Sequence, residues 1–193
     1  MNGMRDLSLS EAKLEERRKR LVRRLRAAIP GLPFINAEFQ PVGVYRKVIG
    51  VNQGRYRIGP YSNWRVSLRE HPVSIGYFEV WQYKQDQRRR PRYLLLKAYF
   101  HVYLALSPEN EKEMIFLHCD PQEQQDTDHF RYKVAPHIHV EIAGSPWSGA
   151  HIPLCDGWQA EVLASLDSLD RAFTRGIEFI VNEVCPLAKN LRA

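Results

Sequence analysis

The fold of this chain is decided by the stretch Tyr93–Leu106, which reads YLLLKAYFHVYLAL. Side chains alternate between the two faces of a β-strand, so every second residue shares a face. One face would carry Lys97, Tyr99, His101 and Tyr103, whereas the residues between them are apolar. This alternation predicts a long strand that buries one face and presents ionisable and aromatic groups on the other.

The flanking sequence predicts further strands, because it contains short runs of β-prone residues bounded by turn-forming residues. These runs are Val42–Val51, Arg55–Ile58, Trp64–Leu68, Val73–Tyr83, Met114–Cys119 and Phe130–Ile142. Their close succession along the chain favours an antiparallel sheet.

Both ends of the chain have helical periodicity. Ser8 and Glu11 fit a capping box, from which a helix is expected to run to about Ala28. From Leu163, apolar residues recur every three or four positions until Pro186 ends the pattern. We therefore expect an α+β fold, in which a curved antiparallel β-sheet is packed by a C-terminal helix and accompanied by a basic N-terminal helix.

The net charge of +6 is concentrated at the N-terminus. Residues 1–29 contain nine Lys and Arg residues and four acidic residues, so they carry +5, and the other 164 residues carry +1. We therefore predict a basic amphipathic helix, residues 1–29, followed by a single α+β domain, residues 30–193. The helix could dock on that domain, on a partner protein or on phosphates.

Other features narrow the class of protein. Cys119, Cys155 and Cys185 are widely spaced and form no disulfide framework, so a cytoplasmic location is expected. The charged N-terminus does not resemble a secretory signal, and the longest apolar run is too short to span a bilayer, which predicts that no membrane is a partner. No phosphate-binding loop or dinucleotide fingerprint occurs, so neither ATP nor NAD is implied.

The stretch His137–Ile142, which reads HIHVEI, is the strongest candidate site. As a strand it places His137, His139 and Glu141 on one face and apolar residues on the other. Two imidazoles and a carboxylate are groups that acid–base catalysis and metal binding use. A polar sheet surface without a chemical role is the alternative that the pattern leaves open.

If this strand neighbours Tyr93–Leu106, the shared surface favours a metal-independent ribonuclease that needs no cofactor. One histidine would take the proton of a 2′-hydroxyl, another would protonate the leaving oxygen, and cations would stabilise the charged phosphorane. We predict His137 and His139 as the acid–base pair, assisted by His101 or His151, and the predicted catalytic residues are therefore His137, His139, His101 and Glu141. The residues predicted to hold phosphate are Arg131 and Lys133.

Two basic segments predict further, salt-dependent contacts with nucleic acid. The first lies on the N-terminal helix and contains Arg17, Arg18, Arg20 and Arg24. The second lies at the tip of a predicted hairpin and contains Arg88, Arg89 and Arg90. An acidic protein surface would suit these segments equally well.

Two alternatives use the same residues differently. In one, His137, His139 and His151 bind a single divalent metal ion as cofactor. In the other, the protein is a non-catalytic interaction subunit that binds a cognate protein or nucleic acid through the basic helix, and the histidines are structural. A homo-oligomer is compatible with either alternative, and the sequence leaves the substrate open.

The region from Val80 to Val184 resembles TumE-type proteins of bacterial toxin–antitoxin systems. The resemblance is carried by Glu79-Val80-Trp81, Phe130-Arg131-Tyr132, His137-Ile138-His139, Ile152-Pro153, and the amphipathic segment Ser165–Val184 with Phe173 inside it. It implies a small sheet-and-helix protein of a toxin or defence system with histidines at its working face. It implies no particular reaction.

Overall fold

In a computed structural model of the chain, an antiparallel sheet packs against helices from both ends of the sequence. The structure describes residues 7–53, 60–68, 70–86, 88–107, 110–122, 135–141, 149–154 and 159–192. The strands in these ranges are β1 (Ser8–Leu9), β2 (Ile35–Val42), β3 (Arg46–Gln53), β4 (Val66–Leu68), β5 (Val73–Gln85), β6 (Pro91–Ser107), β7 (Asn110–Cys119), β8 (His137–Val140) and β9 (Ala150–Pro153). The helices are α1 (Glu11–Ala28), α2 (Gln159–Val162) and α3 (Leu166–Phe179), and a π-helical turn (Ile180–Val184) and a 3₁₀ segment (Cys185–Arg192) follow α3. The predicted α+β fold is confirmed.

The strands lie in the order β2-β3-β5-β6-β7-β8-β9, and neighbours along this path are antiparallel. β1 pairs with β6, and β4 pairs with β5. The predicted long strand is β6, which lies near the middle of this path. The candidate strand with the HIHV sequence is β8, two places away from β6.

One face of the sheet is apolar and is covered by α1 and α3. On this face Phe100 lies between Tyr77 and Leu117 on the neighbouring strands, and Tyr77 makes an edge contact with Phe173 of α3, with 6.4 Å between ring centroids. α3 approaches β7 closely at Gly176, where a Cβ would lie 2.8 Å from Leu117 Cδ2. α1 buries Leu14, Leu21 and Leu25 in the same core.

A buried ion cluster also joins α1, β5 and α3. The Arg17 guanidinium is 9% exposed, and it donates to both Glu79 oxygens at 2.7 and 2.8 Å and to both Asp170 oxygens at 2.7 and 3.0 Å. Glu79 is fully buried and also accepts from the Tyr77 hydroxyl and the Trp81 indole N–H. Burial alone would raise the pKa of Glu79, but the Arg17 guanidinium holds this pKa below its usual range.

Several predicted boundaries differ from the structure. The run Val42–Val51 is not one strand: residues 43–45 form a turn with Gly43 at φ +63°, and this turn joins β2 to β3. The N-cap of α1 is Ser10, whose hydroxyl accepts from the Lys13 amide, because Ser8 is already paired in β1 opposite Leu94. The predicted strand at 55–58 lies outside the described residues, as do residues 130–134 and 142 of the predicted strand Phe130–Ile142.

No helix in the described part of the chain is both long enough and apolar enough to cross a membrane.

Candidate functional site

The register of β6 to β9 brings five histidines together on the side of the sheet that faces away from the helices. His101 on β6 and His139 on β8 are both paired with Phe116, which lies between them on β7. His118 on β7 is paired with His137 on β8, and His139 is paired with His151 on β9. We call this surface the histidine face, and its members are His101, His118, His137, His139 and His151.

The part of this side that belongs to β3 and β5 is covered by the segment that contains β4. Trp64 packs over Gly50, where a Cβ would lie 2.7 Å from the indole ring, and Tyr61 contacts Phe78 at 5.1 Å between ring centroids. The Arg65 guanidinium lies 3.6 Å from the centre of the Tyr103 ring. The histidine face therefore begins at the edge of the segment that contains β4.

A hydrogen-bonded chain crosses from β6 to β7. His101 Nδ1 lies 2.9 Å from the Tyr103 hydroxyl, and His101 Nε2 lies 3.0 Å from His118 Nε2. One hydrogen occupies the contact between the two rings, so one ring donates and the other accepts. Burial and the neighbouring imidazoles lower the pKa of His118 to about 2. His118 is therefore a neutral imidazole at physiological pH.

The tautomer of His137 is set by its backbone contact. His137 is 1% exposed, and its Nδ1 lies 3.0 Å from the Ala135 carbonyl oxygen. Because a carbonyl oxygen only accepts, Nδ1 carries the hydrogen and Nε2 of the neutral ring keeps its lone pair. In the neutral ring, Nε2 is therefore the nitrogen whose chemistry suits a base or a metal ligand.

The outer part of the face is formed by His139 and His151, both of which are partly exposed. Their rings stack with 4.4 Å between centroids and 16° between planes. His139 Nε2 lies 3.6 Å from Glu141 Oε2, which brings the imidazole and the carboxylate within ion-pair distance. Two predicted catalytic residues, His139 and Glu141, therefore lie together with the predicted assisting residue His151.

Asp120 lies at the inner end of the face and is 6% exposed. Its Oδ1 accepts from the Tyr99 hydroxyl at 2.6 Å and lies 3.8 Å from Lys97 Nζ. One ligand atom each from His118, Asp120 and His137 lie within 4.8 Å of one another. Of the histidines predicted to bind metal, His137 belongs to this triad, whereas His139 and His151 do not.

Sequence reasoning did not include His118 and Asp120 in the site. The sequence predicts Met114–Cys119 only as one strand of the sheet, and the last residue of this strand, Cys119, faces the core and is 0% exposed. Strand alternation would have placed His118 on the face opposite Cys119, together with His101. Asp120 follows the strand in sequence, and no pattern indicated where its side chain would lie.

The predicted nucleic-acid-binding residues fall into distinct environments. Arg17 and Arg24 face the buried cluster, where Arg24 Nη2 lies 3.0 Å from Asp170 Oδ1. Arg18 is part-buried and donates to the Ala37 carbonyl at 2.7 Å.

The other predicted cations lie elsewhere. Arg20 is exposed and paired with Glu16. Arg88, Arg89 and Arg90 are exposed on the β5–β6 hairpin, where Arg90 also pairs with Asp86 at 2.9 Å. The predicted phosphate-holding residues Arg131 and Lys133 lie outside the described residues.

Comparisons with known proteins add no relative: no protein-family model, curated protein or solved structure matches the chain. The resemblance to TumE-type proteins stays a prediction.

Proposed function

We propose that this protein acts on nucleic acid as a ribonuclease-like toxin or defence component, with the histidine face as its working surface. The observation that carries the proposal is the convergence of five imidazoles from four neighbouring strands on one face. Imidazoles are the side chains most often used for proton transfer near neutral pH. The toxin or defence setting rests on the resemblance to TumE-type proteins, and a cognate protein partner belongs to the same proposal.

In the proposed reaction, His139 and His151 exchange protons with RNA. One imidazole takes the proton from a ribose 2′-hydroxyl, whose oxygen attacks the adjacent phosphorus. The other imidazole donates a proton to the departing 5′-oxygen. The products are a 2′,3′-cyclic phosphate and a 5′-hydroxyl. Glu141, whose Oε2 lies 3.6 Å from His139 Nε2, orients that imidazole, and Lys97 at the inner end of the face attracts phosphate.

The test is cleavage of a single-stranded RNA by the purified full-length chain. We expect a cyclic phosphate product, and we expect no cut at a nucleotide that carries a 2′-deoxy substitution, because that nucleotide lacks the attacking oxygen. His139→Gln and His151→Gln should each lower the cleavage rate by about 10²-fold or more, the usual contribution of a general acid or base.

The matched control is His71→Gln, because His71 lies in the turn before β5 and outside the four strands of the face. This variant should cleave at the wild-type rate. Full activity in folded His139→Gln and His151→Gln variants would remove these residues from the mechanism. RNA binding without cleavage by the wild-type chain would support the non-catalytic interaction subunit instead.

A further inference from the structure

We propose that His118, Asp120 and His137 form a binding site for one divalent transition-metal ion, with Zn²⁺ as the best match. We call these three residues the inner triad. The inference concerns binding, and it does not depend on whether the protein cleaves RNA.

The first argument is convergence. His118 and Asp120 lie two residues apart at the end of β7, and His137 on the neighbouring strand β8 is the cross-strand partner of His118. Their ligand atoms already lie within 4.8 Å of one another. With bonds of about 2.1 Å, the ligand atoms of a tetrahedral ion stand about 3.4 Å apart, so modest side-chain rotations would complete the set.

The second argument is the support around two of the three ligands. His137 donates Nδ1–H to the Ala135 carbonyl, so the nitrogen left with a lone pair is Nε2. Asp120 is oriented by the Tyr99 hydroxyl at 2.6 Å. Metal-binding histidines commonly donate their other ring nitrogen to a carbonyl or carboxylate, and metal-binding carboxylates are themselves hydrogen-bonded. Two of the three residues of the inner triad, His137 and Asp120, therefore have the supporting contacts that orient metal ligands.

The third argument is the chemistry of the donor set. Two imidazole nitrogens and one carboxylate oxygen suit Zn²⁺ and similar first-row ions, whereas Mg²⁺ and Ca²⁺ prefer oxygen ligands alone. His137 and Asp120 are 1% and 6% exposed, and a cation would compensate the buried carboxylate charge. Three protein ligands leave a fourth position for water or for an oxygen of an anionic ligand.

The test is metal binding by the full-length chain after treatment with a chelator and dialysis. We expect one Zn²⁺ per chain in competition with a chromophoric chelator, and we expect bound Co²⁺ to absorb as a four-coordinate complex. Asp120→Asn and His118→Gln should each weaken binding at least about tenfold, since even changes to supporting groups have effects of this size. His139→Gln and His151→Gln are the matched controls and should keep the wild-type affinity.

Two results would overturn the site. One is a wild-type chain that binds no stoichiometric Zn²⁺ or Co²⁺, which decides the question even if a variant does not fold. The other is loss of binding in His139→Gln and His151→Gln with wild-type affinity in Asp120→Asn, which would favour the outer histidines as ligands. Zinc binding without RNA cleavage would contradict the proposed function alone, and cleavage without zinc binding would contradict the metal site alone.

Discussion

At the scale of single residues, Glu79 shows how strongly one buried charge depends on its partners. Its carboxylate is 0% exposed and is compensated by Arg17, with further hydrogen bonds from Tyr77 and Trp81. Removing one partner of a buried pair leaves the other charged and desolvated. The pair therefore connects α1 to the sheet in a way that tolerates little change.

We predict that Glu79→Gln lowers the free energy of unfolding by about 3–5 kcal/mol, because Arg17 would lose its fully buried counter-charge. Chemical denaturation followed by circular dichroism measures this. The matched control is Glu16→Gln, which removes an exposed partner of Arg20 and should change stability by less than about 1 kcal/mol. Equal losses of unfolding free energy in the two variants would show that the buried ion pair stabilises the fold no more than the exposed one.

The lowered pKa of the same carboxylate makes the stability of the fold depend on pH. Burial would raise the pKa of Glu79, but Arg17 lowers it below the ordinary value for a glutamate, which is about 4.3. The stability that Glu79 contributes is therefore fully present above that value and is lost as the pH falls through the lower pKa of the folded state. The stability difference between the wild-type chain and Glu79→Gln should stay constant near neutral pH and shrink below about pH 4. A difference that does not change with pH would contradict this assignment.

At the scale of secondary structure elements, the contact between β3 and the segment before β4 is closely packed. Gly50 has no side chain, and Trp64 occupies the space where one would lie, with the Tyr77 carbonyl oxygen 3.2 Å from the Cβ position. The indole is 2% exposed and has little room to move. This contact fixes the segment that contains β4 against the sheet, and that segment ends at the edge of the histidine face.

We predict that Gly50→Ala lowers the free energy of unfolding by about 1–3 kcal/mol through overpacking. Trp64→Leu in the same chain should recover part of this loss, because the smaller side chain leaves room for the methyl group. A double-mutant cycle measured by thermal denaturation gives the coupling between the two positions. Additive effects would mean that the clash is relieved elsewhere.

Element types and the two faces of β6 could be predicted from the sequence, because strand alternation depends only on local order. Alternation also placed His137, His139 and Glu141 on one side. The neighbours of each strand depend on contacts between distant segments, so the joining of β7 to β8 and the inner triad could not be predicted. The local sequence predicts Ser8 as the helix N-cap, but in the structure Ser8 pairs with β6 instead.

At the scale of the whole molecule, the basic N-terminal helix is part of the core. Its apolar residues and Arg17 face the sheet. The predicted division into a helix of residues 1–29 and a domain of residues 30–193 is based on charge alone. Charge counts do not show which guanidinium groups meet carboxylates inside the fold, and Arg17 meets the buried Glu79 and the partly exposed Asp170. Deletion of residues 1–29 would therefore remove core packing as well as charge.

The exposed basic hairpin is distant from the histidine face along the same strand. Arg92 and His101 are nine residues apart in β6, which corresponds to about 30 Å at the rise of an extended strand. An RNA that contacts both regions must be long enough to span this separation. Long and short RNAs should therefore respond differently to changes in the hairpin.

We predict that Arg88→Ser combined with Arg89→Asn weakens the binding of a long single-stranded RNA. The slope of log K against log salt concentration should become less steep by about 0.7 for each lost phosphate contact. Asn is chosen because Arg89 has φ +56°, a conformation that Asn tolerates. Binding of a dinucleotide should not change. Arg171→Gln combined with Arg175→Gln is the charge-matched control, because both residues are exposed on α3 and belong to neither basic segment. Fluorescence anisotropy at several salt concentrations measures both double variants with both RNAs. An equal loss for both RNAs would contradict a hairpin contact.

The position of β9 at the end of the strand path has a consequence for the time scale on which the outer histidines are held in place. In the described part of the chain β9 pairs with β8, is four residues long and carries His151 in its second position. Short terminal strands open locally at a small fraction of the free energy of global unfolding. Amide hydrogens of β9 should therefore exchange with solvent deuterium well before those of β6, and each opening would separate His151 from His139. The rate of this local opening, rather than the stability of the whole sheet, would then limit how long the outer pair of imidazoles stays assembled.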